Sequence, residues 1–298
     1  MCSQWWMPSS APRRLPVLLA RVRMPLMWLA MAALLAGYLG LPWWVGGALL
    51  VVALAVNLRL GTVRCAPRVL APPVRGRWMA LSSPVDSVPS QGTHAYGQTH
   101  ALGLVAEDGT RPDIAWRPLS RPPEDFPAFG APVYAPAEGT VVRVYDRQRD
   151  HRSRNSWLWL LGTVLENTLR ELRGPSGLLG NHVIIDIGGA HVLLGHLRQR
   201  SVTVVCGDRV VLGQRIAHCG SSGACTEPQV RVQLMDLRHP LFAAGIPMVW
   251  GSGWRAKAPE REGLPETWRP VEIMGPEVVP AGQSSSAGDY PGSEVRRA

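Results

Sequence analysis

The hydrophobic pattern changes period along the chain. From Met24 to Leu58 the sequence is almost uncharged, interrupted by Gly40-Leu41-Pro42-Trp43-Trp44. At about 1.5 Å per residue, this run is too long for one upright crossing of a hydrocarbon core about 30 Å thick. It predicts two short helices, near 24–40 and 43–58, with a Pro-Trp-Trp turn placing the Trp pair at a membrane interface. A cleavable signal peptide competes with this reading, because residues 1–23 are a basic leader carrying Arg13, Arg14, Arg21 and Arg23. No clean A-x-A site follows, however, and the apolar sequence simply continues. A transmembrane helical hairpin is therefore the expectation.

Further on the period shortens to two. Residues 129–146, FGAPVYAPAEGTVVRVYD, read as a strand, a turn through Glu138-Gly139 and a second, β-branched strand. Residues 180–216 read as consecutive short strands joined by Gly-Gly and Gly-Asp turns. From Gln229 to Leu234, Val230, Val232 and Leu234 share one face, and Gln229, Arg231 and Gln233 share the other. Such a strand buries its apolar face and offers the second to solvent or to a site. Between these blocks, 147–178 has Leu158, Leu161, Leu165, Leu169 and Leu172 at helical spacing, which predicts an inserted helix, a lid or packing element. Residues 59–88, rich in Arg, Pro and Val, read as a linker. The domain proper is expected over 89–250, followed by a Pro/Gly/Ser-rich tail over 251–298, disordered from about 275.

Composition narrows the function. The formal charge of +9 comes almost wholly from arginine, since Lys257 is the only lysine. Arginines flank the apolar segment and aromatic-interleaved basic patches are absent, which favours a membrane over nucleic acid as partner. Cys2, Cys65, Cys206, Cys219 and Cys225 form no C-x-x-C pair, which argues against a zinc finger or a redox motif. Cys219 and Cys225 bracket a Ser-Ser-Gly-Ala turn and read equally as a small-loop disulfide or as two thiols.

Several blocks resemble one family. GQRIAHCGSSGACTEPQVRVQL (213–234), FGAPVYAPAEGTVV (129–142), GNHVIIDI (180–187) and GHLRQRSVTVVCGDRVVLGQRI (195–216) are similar to the catalytic domain of LytM/lysostaphin-type zinc metallopeptidases, which cleave peptidoglycan cross-links. The resemblance covers roughly 89–250. It implies a mainly β fold: an antiparallel sheet core of the duplicated-hybrid-motif type, with the helical insertion, after the membrane hairpin. It also implies where zinc chemistry would sit. The family's first two zinc ligands, His and Asp, match Gln91 and Gly103, and its H-x-H strand matches Gln229 and Arg231. Only His196, before Leu197, keeps an active-site position. A neutral amide is a poor zinc ligand, a guanidinium cannot ligate at all, and glycine offers no side chain.

The expected function is thus a membrane-anchored, catalytically inactive peptidase-like domain that binds cell-wall peptide or glycan, or regulates a cell-wall hydrolase, without a cofactor. Arg231 would offer a fixed charge to an anionic group. The alternative is an active zinc endopeptidase with relocated ligands drawn from His94, His100, His191, His196 and His218, although surface histidines are the plainer reading of these. A lipoyl-type carrier would need a modifiable lysine within the domain, which has none. The plasma membrane is the expected location. Arginines on both sides of the hairpin place the domain in the cytoplasm, whereas a cell-wall function places it outside.

Overall fold

A computed structural model describes residues 14–112, 120–154, 166, 170, 171, 174–251 and 263–274. It opens with two helices, α1 (Arg14–Ala36) and α2 (Trp43–Leu58), joined through a 3-10 turn at Gly37–Leu39. Small residues bring them together. Ala30 and Ala53 are wholly buried, and a side chain at Gly46 would lie 2.7 Å from the Leu34 backbone nitrogen. The second helix falls where the sequence predicts it, but α1 begins ten residues early and absorbs Arg14, Arg21 and Arg23. The reason is docking. Arg21 pairs with the Asp236 carboxylate at 2.5 Å and donates to the Phe242 carbonyl, while buried Arg23 donates to the carbonyl of His94. Charges that end the apolar run on paper are matched by the rest of the protein. By length and composition, Arg14–Leu39 is a helix able to cross a membrane; α2, at 16 residues, is shorter.

The remainder is built on an antiparallel sheet. Its strands include β2 (Gly76–Ser82), β3 (Leu102–Ala106), β5 (Gly139–Tyr145), β6 (Asn181–Asp186), β7 (His191–Leu197), β8 (Arg209–Val210), β10 (Val230–Met235) and β12 (Pro270–Ile273). They lie in the order β12-β2-β3-β10-β7-β6-β5-β8. Two small pairs flank it: β1 (Arg68–Leu70) runs parallel to β11 (Met248–Trp250), and β4 (Pro132–Tyr134) is antiparallel to β9 (Arg215–His218). The Gly-Gly turn between β6 and β7 forms as the sequence predicts, with φ of +79° at Gly188 and +73° at Gly189. Alternate residues of the central strands, Leu102, Leu104, Val192, Leu194, Val232 and Leu234 among them, close one core with Trp78 and Trp250.

Two expectations need correction. Residues 59–88 are not a linker: β1 and β2 lie inside them, and β2 pairs with both β3 and β12. Arginine at every exposed position hides the strand's period, whereas Trp78, Met79 and Ala80 are buried. The domain does not stop at 250 either, because β12 extends the sheet. Finally, the predicted insertion helix lies mostly outside the described residues, as do its five leucines, Lys257 and the tail from 275. At the insertion's C-terminal edge there is a short helix, α3 (Pro175–Leu179).

Candidate functional site

The site is built on β10. Antiparallel pairing sets Arg231 opposite Gly103 of β3 on one side and Gly195 of β7 on the other. Val230, Val232 and Leu234 point into the core at zero exposure. The opposite face is buried as well: Gln229 is 6% exposed, Arg231 7% and Gln233 0%. The two flanking glycines leave a trough for the long side chain. A Cβ at position 103 would sit 3.0 Å from Gln229 Oε1 and 3.9 Å from Gln91 Nε2. The positions singled out from sequence, Gln91, Gly103, Gln229 and Arg231, therefore lie together.

Arg231 is held by neutral groups. Its Nη1 donates to Gln98 Oε1 at 2.9 Å and its Nη2 to Gln91 Oε1 at 3.0 Å. Gln91 in turn donates to Ser82 Oγ. Arg231 Nε is buried without a partner among the described residues. Burial lowers the guanidinium pKa to about 10, so the group stays charged at neutral pH. Gln233 Nε2 donates to the Tyr96 carbonyl at 2.8 Å, and Tyr96 Oη donates to the Glu171 carboxylate at 2.7 Å. Burial, then the hydrogen bond to Glu171, raises the Tyr96 hydroxyl far above its ordinary value. Gln98 and Ser82 carry no signal in the sequence: one sits in a 3-10 turn, and the other ends a strand that reads as a linker.

His196 stands beside this group on β7, wholly buried, with φ of +60°. Its Nδ1 lies 2.7 Å from the Ser222 carbonyl and its Nε2 has no partner among the described residues. Burial first, and the Arg231 charge second, hold its pKa well below the ordinary imidazole value. The ring is thus neutral, with the Nδ1 proton on Ser222. His94 and His100 are not surface residues: they are 1% and 8% exposed. Nor do they share a strand, since Tyr96 and Gly97 take φ of +56° and +71° between them. His94 Nδ1 meets Thr99 Oγ1 at 3.1 Å, and burial, with Arg23 nearby, takes its pKa down to about 4. His191 and His218 lie half-buried on β7 and β9. Cys219 and Cys225 are free, buried thiols and not a disulfide, and burial pushes Cys225 up to about 11. His151, which sequence reasoning also missed, approaches Cys225 Sγ at 3.5 Å.

Above Arg231 lies a cavity of about 510 Å³. Gln91, Gln98 and Arg231 line it from the domain; Met24, Met27, Leu54 and Leu58 line it from the two helices. Glu171 is the carboxylate among its described lining residues.

This donor set does not fit a zinc ion. A permanent cation faces Gly103, and the amide oxygens of Gln91 and Gln98 are already turned to it. Among the described residues, no three His, Cys, Asp or Glu side chains are grouped to hold a metal.

No protein-family model matches the chain, and no curated protein matches it. Solved structures do. The catalytic domain of the antimicrobial peptidase lysostaphin from Staphylococcus simulans matches 59% of this chain and 84% of its own length, at 16% identity and a TM-score of 0.29. A zinc-containing peptidase from Vibrio cholerae matches 62% of this chain at 18% identity and a TM-score of 0.31. Csd3 from Helicobacter pylori matches 61% at 14% identity and a TM-score of 0.31. This chain spans only 43% and 36% of the length of the latter two. In its antiparallel sheet core the chain resembles the LytM/lysostaphin-type peptidases.

Proposed function

We propose that this protein is a membrane-anchored, lysostaphin-like domain that binds an anionic group of the cell wall, such as a peptide carboxylate, in place of hydrolysing a peptide bond. The observation that carries this reading is Arg231. It is a buried cation whose described hydrogen bonds go to two neutral amides. A buried charge without a counter-charge is costly, and an arriving carboxylate would relieve that cost with a charge-assisted, two-point hydrogen bond. Hydrolysis in the family depends on a zinc-activated water, and a guanidinium repels the metal that would activate it. His196 is left as a neutral hydrogen-bonding group beside the anion. The helix pair anchors the domain, with Tyr38, Leu39, Trp43 and Trp44 exposed at its far end as an aromatic, apolar tip.

The test has two parts, both on the full chain in detergent. Zinc content after purification with zinc present and no chelator is expected near zero per chain, with the fold intact. A peptidoglycan stem peptide with a free terminal carboxylate is expected to bind, and its amidated form to bind at least tenfold more weakly. Arg231→Ala should remove that difference while leaving the circular dichroism spectrum unchanged. A zinc ratio near one that drops on substituting His94, His100 or His196 would instead establish relocated ligands, and cleavage of cross-links would follow.

A further inference from the structure

The cavity over Arg231 has two chemically different sides, and the difference bears on what enters it. The domain side supplies the polar groups Gln91, Gln98 and Arg231 beside apolar Ala95 and Leu178. The side contributed by α1 and α2 is Met24, Met27, Leu54 and Leu58, with Asn57 as its polar residue, donating to the Ala53 carbonyl of its own helix. The helices are fixed over the domain by Arg21 on Asp236 and by Arg23 on the His94 carbonyl. Met24 packs against Ala95 and Tyr96, with Leu178 and Leu241 beside them. A volume of about 510 Å³ lies within the ~300–1,000 Å³ typical of small-molecule sites. The same helices continue away from the domain with Leu29, Leu35, Val51 and Val52 exposed, so the apolar wall is continuous with the surface that faces lipid in the anchored reading.

From this we infer that the cavity takes an anionic group carried on an apolar chain and delivered from the bilayer, with Arg231 on the anion and Met27, Leu54 and Leu58 along the chain. The inference rests on the anion-binding reading of Arg231 and adds the source and shape of the ligand. Two observations converge on it. Arg231 is more than nine-tenths buried, lines the cavity and keeps an Nε without a partner among the described residues. The wall opposite is helical and, apart from Asn57, apolar. Glu171 sets a limit on the head group, since its carboxylate, held by Tyr96, would repel a second negative charge.

The experiment is a calorimetric titration of the full chain in maltoside micelles at about pH 5.5, where phosphate and its alkyl ester are chiefly monoanions, with dodecyl phosphate, inorganic phosphate and dodecyltrimethylammonium. Dodecyl phosphate is expected to bind saturably at one per chain, at least tenfold tighter than inorganic phosphate, and the cationic amphiphile to show only micelle partitioning. Arg231→Gln should weaken dodecyl phosphate at least tenfold. Leu54→Asn, on the opposite wall, should weaken dodecyl phosphate while leaving inorganic phosphate unchanged, and it keeps the test open should Arg231→Gln not fold. Equal affinity for the two phosphates would overturn the chain-carrying inference and leave the anion reading standing. Dodecyl phosphate binding that survives Arg231→Gln, or absence of binding by either phosphate, would overturn both.

Discussion

The two faces of β10 differ in what their burial accomplishes. On one face Val230, Val232 and Leu234 fill a continuous apolar core. On the other, Gln229, Arg231 and Gln233 are buried to nearly the same degree, yet their neighbours are amides, a glycine trough and a cavity. Burial on the first face removes apolar surface from water, which stabilises the fold. Burial on the second face desolvates a charge, which is tolerable only if something else sets its value. Equal burial therefore marks a core on one side of a strand and a site on the other.

The comparison can be attacked from its strongest side first. Leu234→Ala should cost about 2–5 kcal/mol, read as a lower denaturant midpoint with unchanged slope, as for other core truncations. Acid comes next. His94 and His182, both buried, have pKa values taken down to about 4 chiefly by burial. The unfolded chain titrates them near 6.5, so between pH 6.5 and 4 it binds more protons than the folded one. Stability should therefore be full above pH 6.5 and fall as the pH drops towards 4, with a shallower fall in His182→Gln, whose side chain can still donate to the Gly180 carbonyl that His182 Nδ1 meets at 2.7 Å. Arg231→Met should shift stability by no more than about 1 kcal/mol, because it replaces a desolvated charge by an apolar group of similar length. A loss as large as that of Leu234→Ala would erase the distinction between the faces. The smallest effect is expected at the half-exposed helix contact, where Asp236→Asn should cost about 0.5–1 kcal/mol and raise amide exchange at the start of α1.

Much of the first face was legible in the sequence and little of the second. Period-2 alternation located β10, the short-strand reading of 180–216 holds β6 and β7, and the Gly-Gly turn fell where the residues placed it, whereas Gly139 belongs to β5 and not to a turn. Alternation says which residues share a face, but not what covers that face, and what covers Arg231 comes from residues more than a hundred positions away. Gln98 reaches it from a turn in which Tyr96 and Gly97 adopt positive φ, a conformation that one tyrosine-glycine pair does not announce. The strands at 68–70 and 76–82 were hidden for a related reason: the exposed arginines Arg68 and Arg77, with Pro67, Pro72 and Pro73 around the first strand, mimic the composition of a linker. The early start of α1 depends on Asp236 and on the carbonyl of His94, partners that hydropathy along the helix cannot register.

The docking of α1 also bears on where this protein can be cut. Removing residues 1–58 to obtain a soluble fragment would leave the sheet whole but strip one wall from the cavity. It would also wet the Ala95–Tyr96 surface that Met24 covers. A fragment starting at Pro89 would go further and lose β2, the strand that joins β12 to β3. Affinities measured on either fragment would describe Arg231 without the helical wall that the intact chain sets beside it.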